Sequence, residues 1–194
     1  MSLIPSLPPR ELQFLARILA KDAKNYHVWA YRQWLVEQFS LWPTLESRGS
    51  ELFFVESLIT NDVRNNSAWN HRYYVLFGQS ENHAIEPQVF TEEIQYAKGN
   101  IDMAPQNAAA WNYLRGVLKK QGKGAKEVED FALEYASLDT ETQILSSHAL
   151  DLLAEIWAET ATDKAGKALD LLSQKYDPVR ANYWNYRKSL LVAV

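Results

Sequence analysis

Lys24-Asn25-Tyr26-His27 places a cation, a phenol and an imidazole within four consecutive residues. All three side chains donate hydrogen bonds, Lys24 adds positive charge, and an imidazole can gain charge near neutral pH. The equivalent stretches further along read Asn65-Asn66-Ser67-Ala68 and Asn107-Ala108-Ala109-Ala110 and offer far less chemistry. Packing asks the same of every copy in a repeat, so residues peculiar to one copy are the better functional candidates. On residue type alone two readings of Tyr26 and His27 stay open: a functional pair, or rings packed against a neighbouring element.

Other catalytic patterns fail on spacing. His27, His71, His83 and His148 show no H-E-x-x-H arrangement, and without cysteine neither a disulfide nor a thiolate zinc site can form. The stretch from Gly116 to Gly122-Lys123 resembles a phosphate loop only faintly, since Gly124 stands where Ser or Thr is needed. There is no G-x-S-x-G nucleophile elbow. Glu92-Glu93 reads as solvated helix surface. No catalytic residue and no metal ligand is therefore assigned in this chain.

The elements that must position the Lys24–His27 cluster emerge from a repeat. Trp29, Trp69 and Trp111 recur at intervals of 40 and 42 residues, the range of helical-hairpin arrays. Asn25-Tyr-His-Val-Trp29-Ala-Tyr-Arg32 parallels Asn65-Asn-Ser-Ala-Trp69-Asn-His-Arg72. Asn107-Ala-Ala-Ala-Trp111-Asn-Tyr-Leu-Arg115 shifts the arginine by one, and Arg180-Ala-Asn-Tyr-Trp184-Asn-Tyr-Arg187 is a further copy. Asp22, Asp62 and Asp177 each stand seven residues before their tryptophan. Apolar stripes at helical spacing precede the tryptophans: Leu12, Leu15, Ala16 and Leu19, for example. Seven residues beyond each tryptophan an aliphatic side chain (Val36, Leu76, Leu118, Leu191) shares its helix face.

This pattern predicts an all-α solenoid of about five antiparallel hairpins, roughly 8–40, 50–78, 88–120, 126–158 and 164–194, in one domain over 1–194. Pro8 and Pro9 suit the first turn of the opening helix. Gly122-Lys-Gly124 and Thr160-Ala-Thr-Asp163 read as loops, and Ile144 to Trp157 as the second helix of the fourth hairpin. Trp29, Trp69, Trp111 and Trp184 are expected as spacers between hairpins, each with its indole N–H partnered. Arg32, Arg72 and Arg187, one turn on, are expected to pair with the turn acid or to meet helix carbonyls.

Composition narrows the function. Hydrophobic residues make up 47% and charged residues 23% of 194, as in a folded globular chain. A net charge of −4 argues against nucleic acid as a partner. No apolar run approaches the ~18 residues that span a bilayer. Met1 to Pro9 has neither a basic region nor an apolar core, so no secretory signal is read there and the cytoplasm is the expected location.

The repeat motifs also carry a family resemblance. Lys24-Asn-Tyr-His-Val-Trp29-Ala-Tyr-Arg32-Gln-Trp34, Asp62-Val-Arg-Asn-Asn-Ser-Ala-Trp69-Asn-His-Arg72-Tyr, Asn107 to Gly116 and Tyr183-Trp-Asn-Tyr-Arg187 resemble the C-terminal part of the alpha subunit of protein farnesyltransferase and geranylgeranyltransferase type I. The resemblance implies a right-handed superhelix that scaffolds a separate beta subunit, for transfer of farnesyl or geranylgeranyl to a C-terminal cysteine of CaaX proteins. It implies zinc, with magnesium as a second candidate, in the beta-subunit complex and no cofactor in this chain. Tyr26 and His27 match family positions near the prenyl diphosphate, where they would donate to its oxygens as negative charge grows on the leaving group. Lys24 matches the repeat after the one that holds the family's catalytic lysine, so only an electrostatic contribution is expected of it.

The family's earlier repeats have no counterpart here, which implies a chain that lacks N-terminal hairpins and is inactive or impaired alone. Two alternatives stand beside this reading: a stand-alone helical-repeat adaptor that binds proteins, and the alpha subunit of Rab geranylgeranyltransferase.

Overall fold

An asparagine starts each of the first three tryptophan-bearing helices, for a simple reason: its side-chain oxygen accepts one of the orphan amides of the first turn. Asn25 Oδ1 takes the Val28 amide at 3.1 Å, Asn65 that of Ala68 at 3.2 Å and Asn107 that of Ala109 at 3.2 Å. Ser146 does the same for Ala149 at 3.3 Å. Each such cap stabilises its helix by about 1 kcal/mol. The computed structural model describes residues 6–43, 49–79, 84–139 and 144–191.

The chain divides into two compact units, Met1–Val89 and Phe90–Val194, where the sequence suggests one continuous domain. The first unit holds two hairpins. Helix α1 (Glu11–Leu19) pairs with α2 (Tyr26–Gln38), and α3 (Gly49–Asn61) with α4 (Asn66–Phe77). Its core centres on Leu19, Trp29, Leu35, Val55, Ile59 and Trp69, all withdrawn from water.

The second unit takes in most of α5 (Pro87–Met103), then α6 (Ala108–Lys120). A 3-10 turn (Ala125–Val128) leads into the short α7 (Glu129–Leu133), which faces α8 (Ser147–Thr160). Helix α9 (Thr162–Leu171), a π turn (Leu172–Tyr176) and a 3-10 turn (Pro178–Arg180) lead to α10 (Ala181–Leu191). Trp111, Leu118, Leu150, Leu153, Leu169 and Trp184 are buried here. The described residues contain helices and turns and no strand, so the all-α hairpin fold read from the sequence is the fold observed.

Several local expectations need correction. Pro8 and Pro9 lie ahead of α1 rather than in its first turn, because the Glu11 amide closes a turn on the Pro8 carbonyl at 3.2 Å and Arg10 bends left-handed with φ 70°. The loop at 160–163 shrinks to Ala161, which flanks α8 and α9 at once. Helix α8 starts at Ser147 rather than Ile144, since Ser146 is the residue with a capping hydroxyl. His83 lies outside the described residues.

Helix α6 ends where glycine allows it. Gly122, with φ 76°, lets the Lys123 amide return to the Leu118 carbonyl at 2.9 Å and its own amide to Lys119 at 3.0 Å.

Candidate functional site

Helix α2 begins with Tyr26 and His27, and every contact around them is made by their neighbours. The Trp29 indole N–H donates to the Ala23 carbonyl at 2.9 Å. Asp22 accepts from the Lys24 amide at 3.4 Å and from Asn25 Nδ2 at 3.1 Å. The rings of Tyr26 and His27 meet edge to face, with centroids 5.5 Å apart. Tyr26 is 76% exposed, and His27 and Lys24 are exposed as well. The Lys24 ammonium makes no ion pair among the described residues and no hydrogen bond to either ring. The phenol, the imidazole and the ammonium therefore stand at the positive end of a 13-residue helix as donors open to an anion.

The repeat tryptophans share one device. Trp69 donates to the Val63 carbonyl at 2.8 Å and Trp111 to that of Pro105 at 2.8 Å, six residues back in each case, as Trp29 does. Trp184 reaches Asp177, at 3.2 Å to the carbonyl and 3.0 Å to the carboxylate. The indole thus closes the interhelical turn on the residues that precede it. In the fourth hairpin Leu150 takes the tryptophan's place, and the Ser146 hydroxyl donates instead to the Pro105 carbonyl at 2.5 Å.

Of the two expected roles Arg32 takes the helix carbonyl, and neither Arg32 nor Arg187 pairs with a turn acid. Arg32 forms a bidentate pair with Glu51 of α3 and donates to the Leu12 carbonyl of α1 at 3.2 Å. Arg187 joins Arg115 on Asp151 of α8. Arg72 is buried on α4. Three residues past the tryptophan the side chain leaves the turn behind and lies over the facing helices. The turn acids Asp22 and Asp62 serve turn amides instead.

Glutamates were the missed residues. Glu51 is buried and accepts from Arg32 and from His71 Nε2 at 3.2 Å. Burial alone would raise its carboxyl pKa, but the hydrogen bonds from His71 and Arg32 outweigh it and hold the pKa below the usual value. Burial pushes the His71 pKa down, and its imidazole packs 5.0 Å from the Trp29 ring. Glu93 is buried too and accepts from the Tyr113 hydroxyl at 2.6 Å, against the expectation of a solvated Glu92-Glu93 pair. Glu11 bonds to Tyr31, whose pKa is raised by partial burial and then by that carboxylate. Glu11, Glu51 and Glu93 each precede their tryptophan by eighteen residues, a spacing as regular as that of the tryptophans themselves.

Among the described residues no three His, Cys, Asp or Glu side chains stand close enough to hold a metal ion. His148 lies partly buried on α8, its pKa lowered by burial and by the charge of Arg180. No described helix is long and apolar enough to cross a membrane.

Comparison with known proteins matches this geometry to a single kind of repeat. The family model described as "Protein prenyltransferase alpha subunit repeat" matches residues 8–39, 49–78 and 90–121, which are the first three hairpins. The alpha subunit of protein farnesyltransferase/geranylgeranyltransferase type-1 from Candida albicans is 39% identical over 188 residues, covering 96% of this chain and 59% of the relative. Its counterpart from Dictyostelium discoideum is 32% identical over 146 residues, 74% of this chain and 45% of that protein. The rat geranylgeranyl transferase type-2 alpha subunit is 31% identical over 115 residues, only 56% of this chain. The solved Candida albicans protein geranylgeranyltransferase-I complexed with GGPP superposes with a TM-score of 0.87 at 37% identity, covering 96% of this chain and 60% of that one. The chain spans about three fifths of the length of the Candida relative, and less of the others.

Proposed function

Because the chain belongs to the protein prenyltransferase alpha-subunit family, we propose that it serves as alpha subunit, or as the C-terminal portion of one, in a heterodimeric CaaX prenyltransferase. It scaffolds a beta subunit that transfers farnesyl or geranylgeranyl to a C-terminal cysteine of a protein substrate. Tyr26 and His27 donate to the oxygens of the prenyl diphosphate, and Lys24 adds positive charge beside them. Donors aimed at a leaving group on which charge develops stabilise the transition state more than the ground state. Zinc, with magnesium as a second candidate, belongs in this reading to the beta-subunit complex, and no step here runs through a metal. The cytoplasm is the proposed location.

The observation that carries the proposal is the uneven chemistry of otherwise matching turns. Three turns share the asparagine cap and the indole clamp, yet only the first presents a phenol, an imidazole and an ammonium to solvent. The type-1 assignment is preferred to the type-2 one because the type-1 relative is 39% identical over nearly the whole chain.

Co-expression with a type-1 beta subunit tests the reading. A soluble complex that binds geranylgeranyl or farnesyl diphosphate is expected, with activity low or absent without the family's earlier repeats. Failure to co-purify at micromolar concentration overturns it in favour of a stand-alone adaptor. A requirement for an escort protein would move the assignment to the Rab enzyme.

A further inference from the structure

The first turn is held differently from the second and third, although all three share one motif. Asn65 and Asn107 are only 3% and 4% exposed, so surrounding side chains confine those caps. Asn25 is more open, and its amide is held instead by Asp22. Asn25 Nδ2 donates to Asp22 Oδ2 at 3.1 Å while its Oδ1 accepts from Val28 at 3.1 Å. The other Asp22 oxygen takes the Lys24 amide at 3.4 Å. In the second hairpin no side-chain bond joins Asp62 to Asn65, and Asp62 accepts only the Arg64 amide, at 2.9 Å. In the last, Asp177 is engaged by Arg180 at 2.5 Å and by the Trp184 indole.

The amides of Lys24 and Val28 are thereby pinned on either side of Tyr26 and His27, and the Trp29 indole pins the carbonyl of Ala23 just before them. A ligand that needs both rings at once meets them already placed, and the ordering cost is met in folding rather than on binding.

We infer that Asp22 is a positioning residue for the anion-binding pair: through Asn25 it sets the start of α2 and so the aim of Tyr26 and His27. The inference rests on the prenyl-diphosphate reading proposed above and adds to it a residue that does not itself touch the ligand.

A carboxylate beside a bound diphosphate has a second, opposite effect, and this makes the role testable. By charge alone, removing Asp22 would tighten anion binding. By positioning, removing it loosens the turn and weakens binding, by about fivefold if its worth is that of a typical cap. The experiment measures geranylgeranyl diphosphate and geranylgeraniol binding to the complex of this chain with a type-1 beta subunit. Asp22→Ala is expected to weaken the diphosphate about fivefold and leave the alcohol unchanged. Asn65→Ala, which removes the corresponding cap one hairpin on, is expected to lower the melting temperature without changing either affinity.

Tighter or unchanged diphosphate binding in Asp22→Ala overturns the inference, as does equal weakening of both ligands, which would mark a general loss of structure. The double variant Tyr26→Phe, His27→Ala separates the two levels of the argument. If it weakens diphosphate binding while Asp22→Ala does not, only the positioning role falls. If it has no effect, the diphosphate reading of the pair fails and the role of Asp22 falls with it.

Discussion

Arg32 and Glu51 meet in a bidentate pair, Nε to Oε2 at 2.8 Å and Nη2 to Oε1 at 2.7 Å, with both side chains almost wholly withdrawn from water. The pair links the second helix of one hairpin to the first helix of the next, and the guanidinium also rests 3.7 Å above the Phe54 ring. His71 adds a donor to the same carboxylate from α4. A buried pair of this kind holds its geometry because both charges are fully hydrogen-bonded, and removing either leaves the other without its counter-charge.

Glu51→Ala is therefore expected to destabilise the chain by about 3–5 kcal/mol, read from urea unfolding. Glu56→Ala, on the exposed side of the same helix, is expected to change stability by less than about 0.5 kcal/mol. Equal effects would show that the buried position of Glu51 confers nothing.

The same cluster sets a pH dependence. Burial holds the folded pKa of His71 below the ordinary imidazole value of about 6.5, so the unfolded chain takes up its proton first as pH falls. Stability is then fully present above about pH 6.5 and declines as pH drops below it. Glu51, held below the ordinary carboxyl range by the hydrogen bonds from His71 and Arg32, extends the decline toward more acid pH. His148 acts in the same direction as His71. Urea midpoints at pH 7.5 and pH 5.5 should differ in the native chain, and His71→Gln combined with His148→Gln should narrow that difference. An undiminished gap in the double variant would exclude these imidazoles as its source.

The indole clamp separates size from hydrogen bonding. Trp69→Ala should cost about 3–5 kcal/mol through the cavity it leaves. Trp69→Phe should cost about 1–3 kcal/mol, from lost volume and from the Val63 carbonyl left without its donor. Thermal unfolding of the two variants tests this order, and a phenylalanine variant as unstable as the alanine one would contradict it.

Two glycines should respond in opposite ways. A Cβ at Gly78 would lie 2.5 Å from the Tyr74 carbonyl oxygen and 2.8 Å from its ring, whereas one at Gly99 meets nothing within 4 Å. Gly99 lies inside α5 on an exposed face, so Gly99→Ala should stabilise by about 0.5–1 kcal/mol. Gly78→Ala should destabilise by about 1–3 kcal/mol. Melting temperatures that move in the same direction for both would refute the contrast.

The hairpin fold was legible because tryptophan, asparagine and the flanking aliphatics recur at spacings that only helix pairs satisfy. Glu11, Glu51 and Glu93 recur just as regularly, yet they escaped notice because a glutamate on a helix reads as solvent-facing until its partner is known. Arg32, His71 and Tyr113 supply the partners that make burial tolerable, and those contacts span nineteen or twenty residues. The short loop at Ala161 and the turn before α1 depend on backbone hydrogen bonds that no residue pattern announces. Lys24, Tyr26 and His27 stood out by being unlike their counterparts, whereas the Asp22–Asn25 bond that holds them could be seen only in three dimensions.

The Pro105 carbonyl, which accepts from both the Trp111 indole and the Ser146 hydroxyl, bears on how such an array could acquire a second site. Both lone pairs of that oxygen are committed, and proline offers no amide of its own. Gln106 beside it is engaged by Ser147, at 3.2 Å to the hydroxyl. Transplanting the sequence of the first turn into the third would therefore not copy its chemistry. The grafted phenol would stand at the exposed Ala108, but the imidazole would fall on Ala109, which is buried, and the graft would have to break that closure before the two rings could act together. Duplication can multiply hairpins freely, but it can multiply binding turns only where a hairpin leaves its turn uncovered.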